Sequence, residues 1–177
     1  MNILDSIREY LYQSVLRQRS TNRPQRGITN LNDAHTIGII YDSTDADNEI
    51  IINKFSEMLK NKGKSVEVMA YLNDKKTDHK ADINIFNRNA VNWYGVPIDE
   101  RVKTYCDKSF DLLICAMTGE NKPLEYIAYT SKAKYRVGAF AENKTKFYDL
   151  MIQIDGKRNT SYLLEQMVHF LENIKYN

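Results

Sequence analysis

Two short runs constrain this chain more than any other feature. Thr36–Asp42 (TIGIIYD) and Phe110–Met117 (FDLLICAM) are apolar at almost every position, with no alternation of apolar and polar residues. Successive residues of a strand point to opposite faces, so a strand that is apolar throughout must be covered on both sides. Helices on both faces of a sheet provide that cover, in a three-layer arrangement.

The rest of the chain supplies those layers. Apolar residues recur every three or four positions in 2–19 (Ile3, Leu4, Ile7, Leu11, Val15, Leu16, with Tyr10) and in 48–61 (Ile51, Ile52, Phe55, Met58, Leu59). The same spacing recurs in 160–174 (Leu163, Leu164, Met167, Val168, Leu171, Ile174), and each set reads as one face of a helix. Asp45 or Asp47 is placed to cap the second helix and Gly63 to end it, while Asn159 or Thr160 caps the last. Shorter helices are expected at 98–106 and, started by Pro123, at 123–132. Further strands read at Ser65–Leu72, Ile83–Phe86, Tyr135–Phe140 and Tyr148–Ile154.

The alternation predicts an α/β three-layer sandwich: a mostly parallel, doubly wound sheet of about five strands, Rossmann-like or flavodoxin-like, behind an N-terminal amphipathic helix. The expected organisation is that helix in 1–19, an arginine-bearing linker in 20–34 and a single α/β domain in 35–177. A length of 177 residues suits one such domain.

Charge and cysteine content narrow the function classes. The formal net charge is only +2, which argues against nucleic-acid binding over the whole surface. The charge is uneven, however. Residues 1–27 hold five arginines and two acids, and no lysine precedes Lys54. Two cysteines, Cys106 and Cys115, make neither a disulfide framework nor a CxxC pair. No apolar run reaches the ~18 residues of a membrane span, and there is no signal-peptide pattern, so a cytoplasmic location is expected.

In folds of this kind ligands sit beyond the carboxyl ends of the strands. After the first strand the chain reads DSTDADNE (Asp42–Glu49), with four acids and no glycine. A phosphate cradle needs close backbone approach, and neither GxGxxG nor GxxxxGK[ST] occurs. Asp42, Asp45 and Asp47 could hold Mg²⁺, but helix capping is the simpler reading, and the central strand ends in Ala116-Met117-Thr118 without a partner acid. The turn Thr118–Pro123 offers Gly119 for a tight bend and Glu120 as a lone carboxylate. His35, His79 and His169 adjoin no plausible nucleophile in sequence. Cys115 reads as a core residue; Cys106, three residues after Lys103, reads as semi-exposed.

Two features remain. Asn92–Gly95 (NWYG) holds the only tryptophan in an irregular stretch, where aromatics either plug a core edge or stand as binding contacts. The first helix carries an apolar stripe that must be buried on this domain, on a partner or at a membrane surface, and the RQRSTNRPQR run after it suits phosphate contacts.

Over nearly its whole length the chain resembles an uncharacterised family of short α/β proteins from Bacteroidetes. The likeness is carried by the N-terminal IREYL helix, NWYG, FDLLI at Phe110–Ile114 and SKAKYRVGAF at Ser131–Phe140. That resemblance implies a fold and no chemistry. Phe110–Phe140 is also similar to the strand–helix–strand unit of heptosyltransferase-type glycosyltransferases, although the glycine-rich turn after the first strand and the nucleotide-sugar domain of those enzymes are missing.

The leading expectation is therefore a non-catalytic binding or adaptor module, attached to a larger protein or ribonucleoprotein through residues 1–27. Arg17, Arg19, Arg23, Arg26, Trp93 and Tyr94 are its candidate partner-binding residues. The alternative is a nucleotide- or sugar-binding protein or enzyme that uses the strand ends, with Asp42, Asp45, Thr118, Gly119 and Glu120. No cofactor, metal or catalytic residue is assigned.

Overall fold

A computed structural model describes residues 3–19, 26–75, 84–154, 156 and 159–175. In chain order the elements are α1 (Ile3–Arg19), β1 (Thr36–Asp42), α2 (Ala46–Asn61), β2 (Ser65–Leu72) and β3 (Asn84–Asn87), followed by a 3-10 turn at Arg88–Ala90. Then come α3 (Glu100–Cys106), β4 (Leu112–Ala116), α4 (Lys122–Thr130), β5 (Tyr135–Ala139), β6 (Leu150–Ile152) and α5 (Thr160–Asn173). The six strands form one sheet in the order β3-β2-β1-β4-β5-β6, and every neighbouring pair is parallel. The fold is the Rossmann-like α/β sandwich expected: about five strands were expected, and all six segments read as strands contribute one each.

Both faces of the sheet are covered, as the apolar runs require. On one face Ile37, Ile39, Tyr41, Ala116 and Val137 pack against Ile52, Phe55 and Leu59 of α2 and Leu163, Met167 and Leu171 of α5. On the other, Ile40, Leu113 and Cys115 meet Tyr105 of α3, Ile127 of α4, and Tyr12 and Leu16 of α1. Cys106 is buried as well, so the semi-exposed thiol expected there is corrected. Burial pushes its pKa up to about 12, which leaves an unreactive thiol.

Helix α1 docks on the domain through only the second half of the stripe its spacing suggested, Val15 and Leu16, joined by Tyr12. Tyr12 and Leu16 are buried, and the Tyr12 hydroxyl donates to the Lys122 carbonyl at 2.9 Å. Lys122 Nζ also donates to Glu9 at 2.8 Å. Ile3, Leu4, Ile7 and Tyr10 stay exposed. The helix is held by its second half, where the turn that carries Tyr12 faces α4, and its first two turns overhang the domain.

Polar staples fix the sheet. Asp111 Oδ2 accepts from the amides of His35 and Thr36 and from the Thr36 hydroxyl at 2.9–3.0 Å, while Oδ1 accepts from Lys134 Nζ at 2.8 Å. Arg136, buried in β5, forks onto both oxygens of Asp149 at 3.0 Å and donates to the Ala128 carbonyl. A bidentate guanidinium–carboxylate pair of this kind is the strong form of such a contact.

Candidate functional site at the carboxyl end of the sheet

With this strand order the chain leaves β1 toward β2 on one side and β4 toward β5 on the other. The connections after β1 and β4 therefore run in opposite directions from the centre of the sheet and leave a crevice between them. A cleft of about 290 Å³ lies there, walled by Asp42, Thr44, Asp45 and Asn48 from the β1 side and by Thr118, Gly119, Glu120 and Asn121 from the β4 side. All five strand-end residues singled out from the sequence come together in it.

The local chemistry explains the shape. Asp45 is the N-cap of α2, its side chain accepting from the Asp47 amide at 3.0 Å. Asn121 caps α4, its side-chain oxygen accepting from Leu124 N, while its Nδ2 donates across the crevice to Asp42 Oδ2 at 2.8 Å. Asp42 Oδ1 accepts from Thr44 N at 2.9 Å, and Asn48 donates to the Asp42 carbonyl at 3.0 Å. The Asp42–Asn121 bond thus joins the two walls. Each carboxylate oxygen offers about two acceptor positions, so Asp42 and Asp45 retain free ones facing solvent. Among the described residues no group of three His, Cys, Asp or Glu side chains is arranged to hold a metal ion.

A second cleft, of about 340 Å³, adjoins the first and shares the wall Met117–Glu120. It lies over the ends of β4 and β5 and is lined by Phe140, Lys144, Tyr148 and Ile154 among others. Lys144, its side chain only 11% exposed, donates to Glu125 Oε1 at 2.7 Å, and that oxygen also accepts from Asn121 N. Burial, helped by the nearby charge of Glu125, holds the Tyr148 hydroxyl well above its ordinary pKa, so the phenol stays neutral and protonated. Sequence reasoning missed Lys144, Tyr148, Glu125 and Asn121. One signal was present: Glu125 is the lone acid of α4, a helix whose other residues from Pro123 to Tyr129 are apolar or aromatic and all buried.

The residues proposed for partner binding do not converge. Arg17 and Arg19 are exposed at the end of α1, and Arg23 lies outside the described residues, as does His79. Arg26 is tied to Asp149 at 3.0 Å. Arg19 and Arg26 thus sit near the amino ends of the strands, beside Cys106–Thr130 and Asp149 respectively. At the other end, Gly95 packs against Lys122 in the first turn of α4, Tyr94 packs on the core, and Trp93 stands exposed at 56%, edge-on to Tyr94.

No curated protein matches the chain. Among solved structures, D-2-hydroxyisocaproate dehydrogenase is similar at 13% identity and a TM-score of 0.31, over 95% of this chain and 58% of that one. This chain thus spans less than two thirds of that protein. Residues 5–174 match the model of a family of unknown function, DUF6913, and the chain belongs to that family.

Proposed function

We propose that this chain binds a small, uncharged, hydroxyl-rich ligand, a sugar or a nucleoside, in the crevice between the ends of β1 and β4. One observation carries the reading: the strand order sets Asp42 and Asp45 opposite Thr118, Gly119, Glu120 and Asn121 across a single cleft, at the place where open α/β sheets take their ligands. Carboxylates with spare acceptor positions suit hydroxyl donors, and Thr118 and Asn48 add groups of either polarity. A phosphate fits poorly, because the wall is acidic and the first-turn amides of α2 and α4 are already capped by Asp45 and Asn121.

A thermal-shift series on the full chain tests this, with methyl glycosides and nucleosides set against inorganic phosphate and nucleotides. At a concentration near one hundred times Kd, a ligand stabilises by about 2.7 kcal/mol, worth several degrees. Neutral ligands should raise the melting temperature, and the paired changes Thr118→Val and Glu120→Gln should abolish the rise. Unchanged melting with every neutral ligand would end the proposal.

A second reading keeps the adaptor role, and one observation favours it. Ile3, Leu4, Ile7 and Tyr10 are all exposed on the overhanging turns of α1, an apolar stripe suited to a groove on a partner protein. Binding through α1 predicts that Ile3→Ser, Leu4→Ser and Ile7→Ser together remove a saturable partner without lowering stability. A partner retained by that triple variant would exclude α1 as the contact.

A further inference from the structure

The second cleft narrows the ligand class, on the premise that the crevice binds a hydroxylated ligand. Its floor is made by a close approach. A Cβ at Gly138 would lie 2.6 Å from ring atoms of Tyr148, so only glycine lets that ring lie flat on β5. Tyr148 is 7% exposed and lines the cleft. Lys144 is fixed beside it by Glu125, with its ammonium 5.4 Å from the Phe147 ring centre. At the rim Phe140, the residue after β5, holds its ring 48% exposed. The cleft therefore offers an aromatic face, a phenol and a held ammonium, next to a crevice rich in hydroxyl acceptors.

We infer that the ligand is a nucleoside, its ribose hydroxyls on the Asp42 side of the Met117–Glu120 wall and its base in the β4–β5 cleft, stacked on Phe140 with ring acceptors toward Tyr148 and Lys144. The combination fits a base better than a second sugar ring. A flat heteroaromatic ring covers Phe140 over its whole face, and its carbonyl or ring-nitrogen acceptors match two donors. A free phosphate gains little here, because Glu125 already neutralises Lys144 and Glu120 stands in the shared wall.

Calorimetric titration of the full-length protein with uridine, adenosine and methyl β-D-ribofuranoside tests the assignment. At least one nucleoside should bind roughly tenfold or more tighter than the methyl riboside, the gain expected of one base–aromatic stack. Phe140→Ala should erase that advantage and leave riboside binding unchanged. Tyr148→Phe should weaken the nucleoside several-fold, as loss of one hydrogen bond does. Both variants keep the surrounding packing, and their melting curves verify it. If the riboside binds but neither nucleoside binds more tightly, the base assignment is overturned while the sugar-binding reading stands. If none of the three binds, both fall.

Discussion

Tyr41 ends the buried part of β1 with its ring fully enclosed between the sheet and α2, and its hydroxyl has no hydrogen-bond partner among the described residues. Burial, with Glu49 nearby, pushes its pKa up to about 12, so the group is a neutral phenol that has lost its water and gained nothing. Tyr41→Phe keeps the ring and removes the orphan; it should stabilise the protein by about 1 kcal/mol, raising the melting temperature by roughly 2–4 °C. A lower melting temperature would mean that the hydroxyl has a partner in solution. Asp111 is the opposite case. Burial disfavours its charge, but hydrogen bonds from Lys134, Thr36 and His35 outweigh that and depress its pKa below the ordinary carboxylate value. A depressed folded pKa gives stability that is complete above about pH 4, the unfolded value, and is lost as the pH falls through the folded one. Asp111→Asn should therefore cost about 2 kcal/mol at neutral pH, and its deficit should shrink on acidification below pH 4, where Asp111 of the unfolded wild-type chain takes up a proton and that of the folded chain does not. Urea denaturation of both proteins from pH 7 to pH 2.5 measures the gap; a gap independent of pH would assign the loss to shape rather than charge.

At the scale of elements, α1 is attached to the rest mainly through α4, by Tyr12, Leu16 and the Glu9–Lys122 pair. Leu16→Ala should remove about 2–5 kcal/mol from that contact. In hydrogen exchange the amides of α1 should lose protection while those of β1 and β4 keep theirs; equal loss in α1 and the sheet would make the helix part of the cooperative core. The elements differ in how legible they were. β1 and β4 announced themselves because strands covered on both faces are apolar at almost every position, and the caps Asp45 and Asn159 lie where the helices start. The buried face of α1 was legible in part: Val15 and Leu16 lie on the stripe, but Tyr12 lies off the part formed by Ile3, Leu4 and Ile7, and its hydroxyl's partner is a carbonyl 110 residues away. The crevice residues Asp42, Asp45, Thr118, Gly119 and Glu120 were readable because a strand end marks where ligands go. Lys144 and Tyr148 were not: Tyr148 reads as the start of a strand and Lys144 as part of a charged loop, whereas the Gly138 approach and the Glu125 ion pair bring both over the sheet.

For the molecule as a whole, the parallel order β3-β2-β1-β4-β5-β6 gathers the carboxyl ends of the strands on one edge and leaves the amino ends to structural staples. Asp111 and Lys134 sit at the amino end, where they hold strand starts together. The two clefts sit at the other, on either side of the turn after β4. That division of labour is the central claim, and nitrogen–proton correlation spectra of the labelled full chain test it most directly, with a pool of neutral nucleosides and methyl glycosides added stepwise. The account predicts saturable shifts confined to the amides of residues 42–48, 118–121 and 139–148. Shifts confined to α1, or none at millimolar ligand, would contradict it.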